Sequence, residues 1–195
     1  MGNKTRYISL IAILSALATV MTLLRLEILY PPLPYLKFDF AEIPSVIALL
    51  ICDLKASLLV ALVHFMILMT KGEFVPIGPL MKFSAVLSTV LPLGIMLKSS
   101  KEVNLRSIMY GTIVGIVFRC TIMTILNYLV LVFLMPDLIK IASLLLRKAI
   151  NAGYIDDLTC ILLFTGLYNA IHVVLTVGLA YIIFKHIKVL IPSMQ

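Results

Sequence analysis

The side chains with chemistry to offer are few and sit in an otherwise apolar chain: Lys37, Asp39, Glu42, Lys82, Asn127, Asn169 and His172. Ammonium, carboxylate, amide and imidazole groups of this kind can grip a polar solute by charge and hydrogen bonds. A charge held at mid-helix in hydrocarbon costs roughly 2.5–3.5 kcal/mol unless it is partnered, so such residues are expected to face one another or a ligand. Each also has a plainer reading. Lys37 and Asp39 suit a solvated ion pair, Glu42, just before Pro44, an electrostatic helix cap, and Lys82 a lysine snorkelling to the interface. Asn127 and Asn169 suit interhelical hydrogen bonds, and His172 a packing histidine. Arg119 lies near the middle of a long apolar run, where it must pair internally or with a partner subunit.

Catalysis is not supported. No Gly-rich phosphate loop, Ser-His constellation or His-Glu-x-x-His zinc motif occurs. Asp156 and Asp157 are adjacent, so on a helix they point about 100° apart and do not form a paired magnesium site. Cys52, Cys120 and Cys160 are odd in number and far apart in apolar sequence, which reads as small hydrophobes rather than a disulfide framework or zinc site. The expectation is therefore no enzyme, no metal and no resident cofactor.

The elements that must position these groups follow from composition. The chain is 62% hydrophobic and 13% charged, with a mean hydropathy of +1.14, which predicts an all-α integral membrane protein formed as a single transmembrane domain over residues 1–195. Apolar runs place six helices at about 7–24, 42–52, 54–70, 77–97, 107–135 and 158–185. The second is too short to span comfortably, and with Asp53 and Lys55 beside it, it reads as part of a hairpin or broken element shielded by other helices. Lys4 and Arg6 precede Ala16-Leu17-Ala18 in the manner of a signal peptide, but the apolar run continues to Leu24, so an uncleaved first helix is expected. The first external loop, Arg25 to Ala41, carries Tyr30-Pro31-Pro32-Leu33-Pro34-Tyr35 and is expected to form an extended, semi-rigid lid. Residues 136–157 place Leu138, Ile139, Ile141, Ala142, Leu145 and Leu146 opposite Lys140, Arg147 and Lys148, which suits an amphipathic interfacial segment or a linker helix.

The net charge of +7 has no basic run interleaved with aromatics and reads as a topology signal rather than a nucleic-acid footprint. Six crossings put both termini on one side, placed here in the cytoplasm of a plasma-membrane protein, although the basic residues divide almost evenly between the two sides. That topology gathers the polar residues in the outer half of the bundle, as a pocket opening outward would require. On the first helix, Ala12 and Ala16 form a small-xxx-small pair that would let a neighbouring helix approach closely.

The stretch Pro34-Tyr35-Leu36-Lys37-Phe38-Asp39-Phe40-Ala41-Glu42-Ile43-Pro44-Ser45 resembles the segment between the first two helices of the substrate-capture subunits (S components) of energy-coupling factor (ECF) vitamin transporters, above all the riboflavin-binding type. Lys82-Phe83 followed by Leu91-Pro92-Leu93-Gly94 resembles that family's fourth helix, Asn127-Tyr128 its fifth, and Tyr168-Asn169-Ala170-Ile171-His172 its sixth. Ala12-x-x-x-Ala16 is similar to its docking motif. The resemblance implies a six-helix fold and a vitamin pocket near the outer face. It implies as partners a transmembrane coupling subunit, on which Ala12 and Ala16 would dock, and two ATPase subunits. Riboflavin, or another vitamin or heterocyclic precursor, would be the transported ligand, held by Lys37, Asp39, Glu42, Lys82, Asn127, Asn169 and His172, with Tyr35, Phe40 and Phe83 available to stack on a flat ring. Two positions depart from the riboflavin type: Lys82 stands where asparagine is usual, and His172 where lysine is usual. The exchange either moves the pocket's charge or marks a different cargo. Two other readings stand beside this one, a membrane scaffold whose polar groups merely join helices, and a secondary carrier, which the lack of an inverted repeat of broken helices disfavours.

Overall fold

The computed structural model describes residues 3–99, 103–150 and 156–190. In chain order the elements are α1 (Asn3–Leu23), β1 (Glu27–Leu29), β2 (Lys37–Asp39), a 3-10 turn (Phe40–Glu42), α2 (Ile43–Ile51), α3 (Leu54–Lys71), α4 (Ile77–Ser99), α5 (Leu105–Leu129), a π-helical turn (Val130–Leu134), α6 (Asp137–Ile150) and α7 (Asp157–Leu190). Five of them, α1, α3, α4, α5 and α7, are long and apolar enough to cross a membrane.

The nine residues of α2 rise about 14 Å at 1.5 Å each, less than half of a hydrocarbon core of about 30 Å. It is buried from Ile43 to Leu50 and packs against α1, α3 and α7, so its backbone is screened from lipid by protein. Asp53 ends it and starts α3: its carboxylate accepts from the Ala56 N–H at 2.7 Å and from the Tyr7 hydroxyl at 2.9 Å. One carboxylate thus caps α3 and fastens the α2–α3 corner to α1.

Gly111 allows α5 to lie close on α4. A Cβ there would stand 2.5 Å from Leu93 Cδ1 and 3.4 Å from Leu93 Cα, and Leu93 is fully buried. Asn104 and Ser107 start α5 with reciprocal side-chain caps. The residues from 137 onward form α6, whose Ala142 and Leu146 are buried with Cys160 and Ile161 of α7, while Ile141 and Leu144 are exposed beside Lys140 and Lys148. The helix is amphipathic as the spacing predicts for Ala142 and Leu146, but Ile141, which the spacing sets on the same face, points outward beside Lys140.

The proline-rich segment is extended only in its arms. β1 and β2 pair antiparallel, Glu27 opposite Asp39 and Leu29 opposite Lys37, and the tip folds back through Tyr30 N–H to Leu36 O (2.9 Å) and Leu36 N–H to Leu33 O (2.8 Å). The reason is apolar burial within the loop. Tyr30, Leu33 and Phe38 form a second small core with Leu146, Ile161 and Tyr168, which draws the tip down onto α6 and α7.

Candidate ligand-binding site

The C-terminal parts of α1, α3 and α5, the start of α4 and the Tyr168–Asn169 turn within α7 meet the β-hairpin at one end of the bundle, where they enclose a cavity. Its volume is ≈ 210 Å³, against about 10–15 Å³ needed to hold a single water. That is room for a small organic molecule. Leu68, Ala85, Met123 and Leu131 supply apolar wall, and Asp39, Lys82, Asn127 and Asn169 supply polar wall.

Of the residues expected to bind ligand, Tyr35, Lys37, Asp39, Glu42, Lys82, Asn127 and Asn169 line this cavity, and Phe40, Phe83 and His172 do not. Phe40 packs against the main core. Phe83 does so as well and stacks on Phe65 with ring centroids 5.0 Å apart. His172 is 2% exposed and lies behind the wall, edge-on to Phe38. The helical period explains Phe83, which follows Lys82 by one residue and so points about 100° away from it. His172 shares a helix face with Asn169 but is shut off from the cavity by Arg119 and Phe38, which it contacts. The aromatic rings actually on the wall are Tyr35, Phe74 and Tyr168.

The charges are paired with one another. Asp39 accepts from the Lys82 ammonium and, through its other oxygen, from the Ala41 N–H at 2.9 Å, so it caps the 3-10 turn while neutralising Lys82. Lys82 is therefore not a free cation on the wall. Glu42 stands at the N-terminal boundary of α2 but makes no cap bond; its carboxylate instead receives two bonds from Arg119. Arg119, 1% exposed, also donates to Asn169, Thr89 and His172, and it forms the cavity floor with Glu42 and Asn169. Sequence spacing marked Arg119 as needing a partner but gave no hint of which, because its acceptors lie 30 to 77 residues away. Among the described residues no group of His, Cys, Asp or Glu could hold a metal ion.

Two non-glycine residues with left-handed backbone, Arg25 (φ 51°) and Phe74 (φ 53°), both stand at the mouth. Arg25 occupies the position after α1 where glycine is usual. The Leu26 N–H bonds to Met21 O (3.0 Å) and the Arg25 N–H to Thr22 O (3.1 Å), so the helix end is closed by a Schellman pair despite the side chain. Such conformations persist where the surroundings over-determine them.

The hairpin is held shut over the cavity by Lys37, which bridges Glu27 (2.8 Å) and Glu73 of the α3–α4 loop (2.7 Å), and by the Tyr168 hydroxyl, which donates to Lys37 O at 2.6 Å. The Lys37 bond and charge hold the Glu73 carboxyl below its ordinary value of 4.5, partial burial opposing. Burial pulls Lys37 down, but the two carboxylates outweigh it and raise it above 10.5. The depressed acid contributes above its ordinary value and loses its contribution as pH falls through its folded value. The raised base contributes below its ordinary value and loses it as pH rises through its folded value. The tether is therefore at full strength from about pH 4.5 to 10.5 and fails on the acid side first in any accessible experiment. Spin labels at Pro31 and Phe74 are expected to give one narrow distance at neutral pH and a broadened distribution as pH falls below 4.5 and through the folded value of Glu73. In Lys37→Ala the distribution is expected to be broad at every pH; an equally narrow one would show that the ion pairs hold nothing.

Residues 6–184 match the family model described as ECF transporter, substrate-specific component. The riboflavin transporter RibU of Staphylococcus aureus (strain TCH60) is 30% identical over 172 residues, covering 82% of this chain and 88% of that protein. The riboflavin transporter FmnP of Bacillus subtilis (strain 168) is 30% identical over 132 residues, covering 66% and 67%. A solved structure reported as "Structure and mechanism of the S component of a bacterial ECF transporter" shares the fold, with a TM-score of 0.72 over 97% of this chain and 99% of that one, at 22% identity.

Proposed function

The chain belongs to the family of ECF transporter substrate-specific components, multi-pass membrane proteins that act by binding rather than catalysis, and from that premise we propose that it captures riboflavin in the cavity beneath the hairpin. The observation that carries this reading is the cavity itself, which sets a polar wall (Asp39, Lys82, Asn127, Asn169) against an apolar one (Leu68, Ala85, Met123, Leu131). A flavin has the matching halves, an apolar dimethylbenzene edge and a ring bearing carbonyls and nitrogens. Tyr35, Phe74 and Tyr168 offer faces or edges to its plane. Both curated relatives described above are named as riboflavin transporters. The lysine at 82 is compatible with that cargo because Asp39 already neutralises it.

In this reading the cavity end faces outward and both termini lie in the cytoplasm. The partners are transporter subunits, specifically a transmembrane coupling subunit and two ATPases that supply the energy this chain does not generate. Ala12 and Ala16 are exposed on α1, on the side away from buried Leu14, Ser15 and Ala18, where a partner helix can reach them.

Protein purified in detergent is expected to be yellow, with an absorption band at ~450 nm and flavin fluorescence quenched by the cavity aromatics. Colourless protein that takes up no added riboflavin would overturn the assignment.

A further inference from the structure

Arginine carries five N–H donors and no acceptor. In this protein all five are used on side chains from three other parts of the fold. Nε donates to Asn169 Oδ1 (3.0 Å), Nη1 to Glu42 Oε2 (2.8 Å) and Thr89 Oγ1 (3.1 Å), and Nη2 to Glu42 Oε1 (3.3 Å) and His172 Nδ1 (3.0 Å). The guanidinium lines the cavity yet has no donor left for a ligand. Its influence must pass through the groups it holds.

We propose that Arg119 is a positioning residue that fixes the polarity of the cavity floor, locking Asn169 into one amide orientation and His172 into one tautomer. A guanidinium can only donate, so Nδ1 of His172 must be the bare, accepting nitrogen. The ring proton then sits on Nε2, which faces the Asp39 carbonyl oxygen at 3.4 Å. The same logic sets Asn169. Its Oδ1 accepts from Arg119 and its Nδ2 donates to Thr165 O at 2.9 Å. Turning the amide over would press NH2 against a guanidinium N–H and carbonyl against carbonyl. Asn169 therefore offers the cavity its second amide N–H, a donor suited to a ring carbonyl or imine nitrogen of a heterocycle. A ligand presenting a donor at that point would leave two donors facing each other, which is how a buried site rejects an analogue.

The charged and titratable groups facing His172 are Glu42 from the 3-10 turn, with Oε1 3.7 Å from Nε2, Arg119 from α5 and Tyr168 from α7. The carboxylate of Asp39 is engaged by Lys82.

The tautomer is read by nitrogen NMR of the full-length protein carrying 15N-histidine in detergent micelles, with His172 assigned by His172→Gln. The wild type is expected to show His172 as a single neutral Nε2–H form at neutral pH. A signal from Nδ1–H would overturn the proposal without any substitution at Arg119 being required. Arg119→Lys keeps the charge but loses the planar fork. It is expected to mix the tautomers and to weaken riboflavin binding by about 10-fold or more. In an Asn169→Ala background the same change is expected to alter affinity less than about 3-fold, since no amide remains to be held. Full additivity of the two substitutions would overturn the proposal. The ligand arm rests on the riboflavin reading and the histidine arm does not, so wild-type protein that binds no riboflavin but shows the fixed tautomer would retire that reading alone.

Discussion

Replacing Glu42 with glutamine is expected to abolish ligand capture and to lower stability by roughly 3–5 kcal/mol, the range for removing one partner of a buried ion pair. Glu42 is buried, and its carboxylate is the counter-charge to Arg119 in the middle of the bundle. Glutamine retains a single accepting oxygen in the same place, so the volume change is negligible and the loss is electrostatic. The guanidinium would then keep its full charge among α4, α5 and α7 with neutral acceptors only, and would draw Asn169 and His172 out of position. Aspartate is the informative comparison. It restores the charge one methylene short of Arg119 and is expected to recover part of the stability but little of the affinity. Thermal unfolding in detergent together with riboflavin titration measures both quantities. A glutamine variant that melts and binds like the wild type would show the pair to be dispensable.

Leucine at both Ala12 and Ala16 is expected to have the opposite profile, with uptake reduced by more than about 10-fold and riboflavin binding by the isolated protein unchanged. The two alanines are exposed and remote from the cavity lining, so added methylenes disturb neither the fold nor the ligand. They do prevent a partner helix from approaching as closely as a small-xxx-small face allows. Co-purification with the proposed coupling subunit and uptake in cells provide the measurements. Undiminished association would remove these residues from the docking surface.

The membrane class and the end of the bundle at which polar groups gather were legible in the chain, because hydrophobic run length and the exclusion of charge from lipid are local properties. Lys37, Asp39 and Glu42 announced themselves through a dense local motif. What escaped was partnership. Glu27 and Glu73 look like loop acids in sequence, yet the fold brings both to Lys37. Lys82 and Phe83 read as joint contributors, but one helical step of about 100° sends Phe83 to the core, while His172, on the same face as Asn169, is shut off from the cavity by Arg119 and Phe38. The proline-rich loop misled in a different way. Its prolines suggest extension, but Tyr30 and Leu33 are buried at its tip, and burial of apolar side chains overrides backbone stiffness.

The closed set of bonds around Arg119 bears on how the whole body can move. Around its waist the protein presents Ile13, Val117, Phe118 and Val174 to the surroundings, while Glu42 and Arg119 stay within. To the neighbouring acyl chains this is oil against oil. Rolling or tilting the bundle in the bilayer brings neither charge out of its socket, and the roughly 2.5–3.5 kcal/mol that each bare mid-membrane charge would add never enters the barrier.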